Sequence, residues 1–312
     1  MVSLKQLRYL DALETHRHFG KAAASCHVSQ PALSMQIADL EAELGLALVE
    51  RLPREVIFTP RGLEIAGRAR EIIVAVNDLI EHARQQDASL TGPVRLGIIP
   101  SVAPYLLAPV LPHLRAAHPN IELSLLETQT AILIDSILQA RIDIAIMALP
   151  TEIDGLTEMP LLDDPFVLAV PCSHPLAGRS EVTSSDVRHE TVLMLEPGHC
   201  LRDQTIAFCQ LVDARNVDSL GATNLATLIQ LVASGFGITL LPAIAVPHET
   251  AGLDKITLCH FREPAPMRTI GLVWRRTSPR ASEFALLGQL IRDCLSGNLD
   301  RPGQDEPSEA AE

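Results

Sequence analysis

The sequence predicts an α/β protein with a helical head, one long connecting helix and a large region of alternating strands and helices. Residues 1–62 contain short amphipathic stretches and a turn-rich segment, and residues 63–90 repeat apolar side chains at helical spacing. From residue 91 to 297, short apolar runs alternate with amphipathic stretches, which is typical of strands alternating with helices. We expect domains at 2–62, 63–90 and 91–297, followed by a disordered acidic tail at 298–312.

The head shows the pattern of a helix-turn-helix over about residues 19–38. Residues 21–26 predict a short Ala-rich helix, residues 27–28 predict a tight turn, and Ser29 is placed to cap a second helix that tolerates Pro31 in its first turn. One face of the second helix is apolar and the other is small or polar, as in DNA-reading helices. An ordinary helical hairpin is the alternative. The apolar face consists of Leu33, Ile37, Leu40 and Leu44.

A wing and a long helix follow. Residues 46–62 predict two short strands with Pro53 at the bend, which makes the head a winged helix-turn-helix. Thr59 caps the next helix, with Pro60 at its first position. This helix carries an apolar seam over nearly three heptads, which predicts pairing with another helix; packing against its own domain is the alternative. The dimerisation seam consists of Ile65, Ala69, Ile72, Val76, Leu79 and Ala83.

The large region predicts a parallel sheet covered by helices. Strand and helix patterns alternate, and a late return of the chain suggests two α/β subdomains with a cleft between them. In such sheets ligands bind beyond the carboxyl ends of the strands. The predicted strands are 94–100, 121–127, 142–148, 166–171, 191–195, 237–242, 255–261 and 269–276. The predicted helices are 105–117, 131–140, 201–210, 223–234 and 281–295.

The overall charge argues at first against a nucleic-acid partner. The chain has 25 Lys and Arg against 38 Asp and Glu, a net charge of −13, whereas phosphate binding needs clustered cations. Aromatic residues, which provide platforms for base stacking, make up only 3%. However, residues 1–62 contain seven residues of each sign, so the whole excess lies on residues 63–312. A nearly uncharged head can read DNA when several copies act together.

The cysteines and the short apolar runs favour a reducing cytoplasm. Six Cys are spread without C-x-x-C pairs, and the longest apolar runs of about 6 to 8 residues are too short to span a membrane. Charged residues within 1–15 argue against a signal peptide. The sequence has no P-loop, G-x-S-x-G or metal-spaced Cys/His set. We therefore expect a cytoplasmic protein that is not an enzyme and uses no cofactor and no metal.

Cys200 and Cys209 have the chemistry of a thiol switch. Cys200 follows Pro-Gly-His and begins a predicted helix, so the helix dipole and the neighbouring Arg202 favour its thiolate, the form that peroxide oxidises to a sulfenic acid. Nine residues of helix separate the two Cα atoms by about 13 Å, whereas a disulfide needs about 7 Å or less. A disulfide between them must therefore remodel residues 200–209. We expect the remaining thiols to be small core groups: Cys26, Cys172, Cys259 and Cys294.

The chain resembles the LysR-type transcriptional regulators over roughly residues 2–300. The resemblance is carried by FGKAAASCHVSQPALSMQIADLEAELGLALVER, followed by FTPRG, and by the order of winged helix-turn-helix, linker helix and two-lobed domain. The block GHCLRDQTIAFC at 198–209, with IPSVAPYLLAPVLP upstream and GFGITLLPAIAVP downstream, is similar to the peroxide-sensing OxyR-type branch. The resemblance implies a periplasmic-binding-protein-like effector domain and a hydrogen peroxide-responsive activator of antioxidant genes, switched by a reversible Cys200–Cys209 disulfide.

The same resemblance implies a peroxide pocket. Hydroxyl groups at Ser101 and Thr130 can donate and accept hydrogen bonds to peroxide oxygens. The family often has Thr at the position of Ser101, which keeps the hydroxyl, and often has His at the position of Ser219, where this chain lacks a candidate proton donor. The implied pocket residues are Ser101, Thr130, His199, Arg202 and Asp203. LysR-type proteins are usually dimers or tetramers, so the resemblance implies self-association to a dimer or a homotetramer.

The exposed face of the second head helix is expected to contact double-stranded promoter DNA. Residues 29–38 carry no cation, so base readout depends on polar side chains and on apolar contacts with thymine methyl groups. Phosphate contacts must come from cations around the helix. The candidates on the helix are Ser29, Gln30, Pro31, Ala32, Ser34 and Met35. The candidate phosphate contacts are Lys5, Lys21, Arg51 and Arg54.

Two other functions stay open from the sequence. A LysR-type regulator can instead sense a small organic effector in the cleft between the lobes, with the two thiols incidental. A thiol peroxidase would use Cys200 and Cys209 but would leave the helix-turn-helix and the seam without a role. The partners expected of a redox regulator are promoter DNA, RNA polymerase, hydrogen peroxide as the signal and a thioredoxin- or glutaredoxin-type reductant. No membrane partner is expected.

Overall fold

The protein consists of two compact units, Met1–Asp87 and Ala88–Glu312. The structure, a computed structural model, describes residues 1–51, 56–84, 90–211, 216–218 and 220–297. Four features expected from the sequence lie outside the described residues: the bend at Pro53, Arg54, Ser219 and the tail at 298–312.

The first unit is a winged helix-turn-helix head with a long helix attached. Its helices are α1 (Leu4–His16), α2 (Phe19–Ser25), α3 (Gln30–Leu44) and α4 (Pro60–Arg84), and its strands are β1 (Val49–Arg51) and β2 (Val56–Phe58). The turn between α2 and α3 is tight because His27 adopts a positive φ of 55°. Ser29 begins α3, since its Oγ accepts a hydrogen bond from the Ala32 N–H at 3.4 Å. Antiparallel pairing of β1 with β2 forms the predicted wing.

Partly buried ion pairs fix the first half of α4 to the head. The Arg70 guanidinium donates from Nε to Asp11 Oδ1 at 2.7 Å and from Nη2 to Glu14 Oε2 at 2.8 Å, and both acceptors belong to α1. Ala66 and Ala69 are buried in the core that α1, α2, α3 and the wing share. The head and the beginning of α4 therefore form one body.

The predicted seam on α4 divides into two parts. Ala69 is buried in the core of its own head and Ile65 packs against that core. In contrast, Ile72 and Leu79 are 50% and 67% exposed, Val76 is half-buried, and Ala83 is exposed. The expectation that the whole seam faces another helix is therefore wrong for Ile65 and Ala69, because heptad spacing alone does not distinguish a neighbour in the same chain from a partner helix.

The second unit alternates strands and helices. Its first elements are β3 (Gly92–Ile98), α5 (Ala103–Ala117), β4 (Ile121–Glu127), α6 (Thr130–Leu138), β5 (Ile144–Leu149) and β6 (Leu156–Pro171). Then follow β7 (Glu181–Val182), β8 (Thr191–Leu193), α7 (Cys200–Leu211), β9 (Asn216–Asp218) and α8 (Leu225–Ala233). The last elements are β10 (Thr239–Pro242), α9 (Val246–Glu249), β11 (Ile256–Phe261), β12 (Met267–Arg275) and α10 (Ala281–Leu295).

The main sheet is mixed, which corrects the expectation of a parallel sheet. Strands β3, β4 and β5 are parallel, whereas β12 runs antiparallel to both β5 and β6. The sequence pattern revealed only the second half of β6, because Pro160, Asp163, Asp164 and Pro165 interrupt the first half. This 16-residue strand pairs with β12 along its first half and with β10 and β11 along its second half.

Two hydrophobic cores lie along β6 and define two lobes. The first lobe is built around β3, β5, β12 and helices α5, α6 and α10. The second lobe is built around the second half of β6, with β8, β10, β11 and helices α7 and α8. The two α/β subdomains that the sequence predicts are therefore present, and they share the strand β6.

All six cysteines are free thiols. Across the described ranges, no helix combines the length and the apolarity that a bilayer crossing requires. Over the same ranges, His, Cys, Asp and Glu side chains do not gather into groups of three or more that could hold a metal ion.

We predict that Arg70→Leu loosens α1 and the first turns of α4, because Asp11 and Glu14 lose their common cation. The expected loss of amide protection in α1 is about tenfold, equivalent to about 1.4 kcal/mol, measured by hydrogen exchange and mass spectrometry. Arg68→Leu is the matched control, since the Arg68–Glu71 pair on the same helix is 70% and 68% exposed. Equal protection in both variants would contradict the role of the partly buried Arg70 ion pairs.

Candidate functional site

One narrow cavity in the second unit brings together Cys200 and three of the five residues predicted for the peroxide pocket. Its walls come from the end of β3, the beginning of α6 and the beginning of α7. The space between these atoms, including its open mouth, is about 180 Å³. The lining side chains leave little free space, so the cavity suits a small ligand better than a large one. The lining residues are Ile99, Pro100, Ser101, Gln129, Thr130, His199 and Cys200.

Thr130 brings an unused hydroxyl to this cavity. Its Oγ1 is buried and has no hydrogen-bond partner among the described residues. Leaving a buried polar atom unpaired costs about 1–3 kcal/mol, and a hydroxyl can both donate and accept. The Oε1 of Gln204, one helical turn after Cys200, is also buried without a partner among the described residues, although Gln204 lies outside the lining of the cavity. The cavity is therefore suited to a small polar ligand that forms hydrogen bonds.

A buried arginine holds Ser101. The Arg268 guanidinium donates from Nη1 to Ser101 Oγ at 2.9 Å and from Nη2 to the Ser101 carbonyl oxygen at 3.1 Å. Its Nε donates to Asp164 Oδ2 at 2.9 Å, and the Arg268 and Asp164 side chains are each only 1% exposed. Because a guanidinium can only donate, the Ser101 hydroxyl accepts from Arg268 and keeps its own proton for another acceptor.

Sequence reasoning missed Arg268, Asp164 and Gln204. Arg268 and Asp164 lie between prolines and other charged residues, a composition that indicates an exposed segment. The signal for Gln204 was its spacing of four residues from Cys200, which places both side chains on one helix face.

Gly198 allows the loop before α7 to approach Gln129. Its φ is +97°, and a Cβ at this position would lie 2.5 Å from Gln129 Oε1. The positive φ therefore favours glycine here, whereas the atoms close to the added Cβ belong to the flexible end of the Gln129 side chain. This close approach places His199 and Cys200 beside Thr130 at the cavity.

Arg202 and Asp203 do not line the cavity. The Arg202 guanidinium donates from Nη1 to the Leu195 carbonyl oxygen at 2.8 Å and so ties the beginning of α7 to the preceding loop. Asp203 is exposed. A residue two positions after Cys200 lies about 200° around the helix from it, which explains why Arg202 points elsewhere.

The two thiols of α7 face different cores. Cys200 is half-buried and packs against the first-lobe core, whereas Cys209 is buried in the second-lobe core with Leu201 and Phe208. Burial raises the pKa of the Cys209 thiol. On the intact helix the two Cα atoms are about 13 Å apart. A disulfide between them requires α7 to unwind.

The head presents the predicted DNA-contacting face to solvent. On α3, Leu33, Ile37 and Leu40 are fully buried, and the opposite face is accessible. The exposed members of that face are Ser29, Gln30, Pro31 and Met35, and the half-buried members are Ala32 and Ser34. Of the predicted phosphate contacts, Lys5 and Lys21 are exposed. The structure describes the backbone of Arg51 only, and Arg54 lies outside the described residues.

Comparison with known families assigns both units. Residues 4–63 match the bacterial regulatory helix-turn-helix protein, lysR family, and residues 87–295 match the LysR substrate binding domain. Together the two matches account for both units of the chain.

Curated relatives and solved structures match over nearly the whole chain. The DNA-binding transcriptional dual regulator OxyR of Escherichia coli is 44% identical over 300 residues, covering 96% of this chain and 98% of that protein. A full-length OxyR variant from Pseudomonas aeruginosa superposes with a TM-score of 0.76 at 32% identity, over 94% of this chain and 98% of that one. A hydrogen peroxide-bound OxyR mutant from Corynebacterium glutamicum has a TM-score of 0.66 at 35% identity, over 95% and 93%. The chain belongs to the LysR family of regulatory helix-turn-helix proteins, in the branch of the hydrogen peroxide-inducible genes activators.

Proposed function

We propose that this protein is a hydrogen peroxide-sensing transcriptional activator of antioxidant genes, in which Cys200 and Cys209 are the sensor. The observation that carries the proposal is the cavity that places the Cys200 side chain beside the unpaired Thr130 hydroxyl. Ser101 adds a second hydroxyl, oriented by Arg268. The names of the relatives, hydrogen peroxide-inducible genes activators, agree with this chemistry.

The reaction needs only hydrogen peroxide and the two thiols. The Cys200 thiolate attacks one peroxide oxygen, the O–O bond breaks, and the leaving hydroxide takes a proton to become water. Ser101 and Thr130 hold the two oxygens, and His199 lies beside them as a proton partner. The Cys209 sulfur then attacks the sulfenic acid, forms the S–S bond and releases a second water. Two thiols are oxidised by two electrons as one peroxide is reduced.

The second step converts oxidation into a change of shape. Cys209 must leave the second-lobe core, or Cys200 must leave the first-lobe core, before the sulfurs meet. Either movement breaks helical hydrogen bonds of α7 and uncovers apolar surface, so the surrounding segment must repack. A thioredoxin- or glutaredoxin-type dithiol reverses the disulfide by exchange.

The output is carried by the head and by self-association. Base contacts from α3 and phosphate contacts from Lys5, Lys21, Arg51 and Arg54 bind double-stranded promoter DNA. The exposed part of the seam, with Ile72, Val76, Leu79 and Ala83, pairs with a second copy, and a homotetramer places several heads on one promoter. RNA polymerase is the partner through which the bound regulator acts. An organic effector and peroxidase turnover are not favoured, since the cavity is narrow and the chain belongs to a regulator family.

We predict that one equivalent of hydrogen peroxide links Cys200 to Cys209. Mass spectrometry of the digested protein should show the 200–209 disulfide, and promoter binding should change in the same sample. In Cys209→Ser the reaction should stop at the Cys200 sulfenic acid, which dimedone traps. Cys172→Ser is the control, because Cys172 is exposed but lies outside the cavity. A wild-type protein without the linkage would refute the proposal.

We predict that Thr130→Val slows the oxidation of Cys200 by hydrogen peroxide about tenfold or more. Valine keeps the shape of the side chain but removes the hydroxyl that holds peroxide, at a cost of about 1.4 kcal/mol in the transition state. The measurement is the second-order rate of thiol loss. Thr227→Val is the matched control, since Thr227 is an exposed threonine on α8. Equal rates in the two variants would exclude Thr130 from the reaction.

We predict different effects for Lys21→Ala and Met35→Ala on DNA binding. Loss of the Lys21 cation should weaken binding to all sequences alike and reduce the salt dependence by about one phosphate contact. Loss of the exposed Met35 side chain should alter base preference instead. Fluorescence anisotropy with operator and scrambled duplexes at two salt concentrations separates the two outcomes. Lys255→Ala, in the second unit, should change neither. A change of base preference in Lys21→Ala would contradict this division of roles.

A further inference from the structure

Tyr105 connects a helix of the first lobe to the core of the second. Val102, just before α5, and Leu106 on α5 pack in the first-lobe core, whereas Tyr105 is 6% exposed and belongs to the second-lobe core. The Tyr105 hydroxyl donates a hydrogen bond to Glu249 Oε1 at 2.6 Å. The ring also packs against His248, with 5.6 Å between ring centroids. The beginning of α5 is therefore attached to α9 of the other lobe.

A series of hydrogen bonds connects the Tyr105–Glu249 contact with Ser101 at the cavity. Ile244 donates its backbone N–H to Asp164 Oδ1 at 2.9 Å, and Asp164 accepts from Arg268 through its other oxygen. Arg268 in turn donates to Ser101. Ile244 precedes Glu249 by five residues, and Ser101 precedes Tyr105 by four. Residues 101–105 and 244–249, together with the hydrogen bonds through Asp164 and Arg268 and the Tyr105–Glu249 bond, thus form a closed ring. Ser101 is part of this ring, which spans both lobes.

We propose that Tyr105, through its hydrogen bond to Glu249, is a positioning residue that holds the Ser101 hydroxyl where peroxide must bind for Cys200 to react. Tyr105 does not line the cavity, so it acts through the backbone that joins it to Ser101. Arg268 restrains Ser101 from the sheet, and Tyr105 restrains the same segment from the helix. The proposal rests on the peroxide-sensing function argued above.

The chemistry of the Tyr105 site supports a role for the hydroxyl itself. Phenylalanine would fill the same space in the core. A buried tyrosine hydroxyl costs free energy through its lost hydration unless it forms a hydrogen bond inside the protein. Burial and the neighbouring Glu249 carboxylate raise the pKa of Tyr105, so its hydroxyl remains a donor at any physiological pH. The bond to Glu249 therefore provides a fixed direction as well as packing.

The test compares two reagents that react with the same thiol. Tyr105→Phe keeps the ring in the core and removes only the hydroxyl. The second-order rate of Cys200 oxidation by hydrogen peroxide should fall about five- to tenfold, because peroxide is no longer held in line with the sulfur. Alkylation of Cys200 by iodoacetamide needs no hydroxyl from Ser101, and its rate should change less than about twofold. Peptide mass spectrometry of the full chain measures both reactions at Cys200.

Matched variants separate positioning from general damage. Glu249→Gln retains an oxygen that accepts from Tyr105 and should keep the wild-type rate with peroxide, whereas Glu249→Ala should behave like Tyr105→Phe. Thr250→Val removes a neighbouring hydroxyl, which donates to the Val246 carbonyl oxygen, and leaves the Tyr105 bond intact. It should react like the wild type with both reagents.

The outcomes distinguish this inference from the proposed function. A wild-type protein whose Cys200 does not react with peroxide refutes the peroxide-sensing function. If the wild type reacts and Tyr105→Phe reacts equally fast, the positioning role of Tyr105 is wrong while the function stands. If Tyr105→Phe slows iodoacetamide and peroxide by the same factor, Tyr105 controls access or folding and the positioning role is again wrong.

Discussion

The buried ion pair between Arg268 and Asp164 is the interaction on which the sensor unit depends. Removing two charges from water costs several kilocalories per mole for each ion, and the cost is offset only when both groups are fully hydrogen-bonded. Here Arg268 also donates to Ser101, and Asp164 also accepts from Ile244. The pair joins the long crossing strand β6 to the return strand β12. The same contact that unites the two lobes therefore orients a hydroxyl of the cavity.

The sensor helix lies across the boundary that this ion pair holds. Cys200, its first residue, packs against the first-lobe core, and Cys209 is buried in the second-lobe core. Cys200 and Cys209 can therefore both stay packed in their separate cores only while α7 is intact. In the proposed function, a Cys200–Cys209 disulfide cannot form while both thiols stay in these two cores, so its formation must change the packing of at least one of them. A single bond can therefore report a chemical event to the whole unit.

Much of this arrangement was predictable from the sequence, and the failures have physical causes. Apolar periodicity located nearly every helix, and the caps at Ser29 and Thr59 located two of their starts. The first half of β6 was hidden because its prolines and carboxylates, which break a strand pattern, are tolerated beside β12. Long-range polar contacts such as Arg268–Ser101 join residues 167 positions apart, and no local pattern indicates them. The seam on α4 was assigned one role because spacing shows only that a face is apolar.

The junction of head and helix at Arg70 has a mechanical consequence. Because the ion pairs with α1 make the start of α4 part of the head, this helix of 25 residues works as a rigid lever about 37 Å long. A tilt of about 10° at its far end would carry the reading helix by roughly 6 Å, close to two base-pair steps of about 3.4 Å each. In the proposed dimer, small angular changes of this helix would therefore alter the distance between the two heads. The direction in which this helix leaves the head would then help to determine which promoter geometry the proposed dimer can bind.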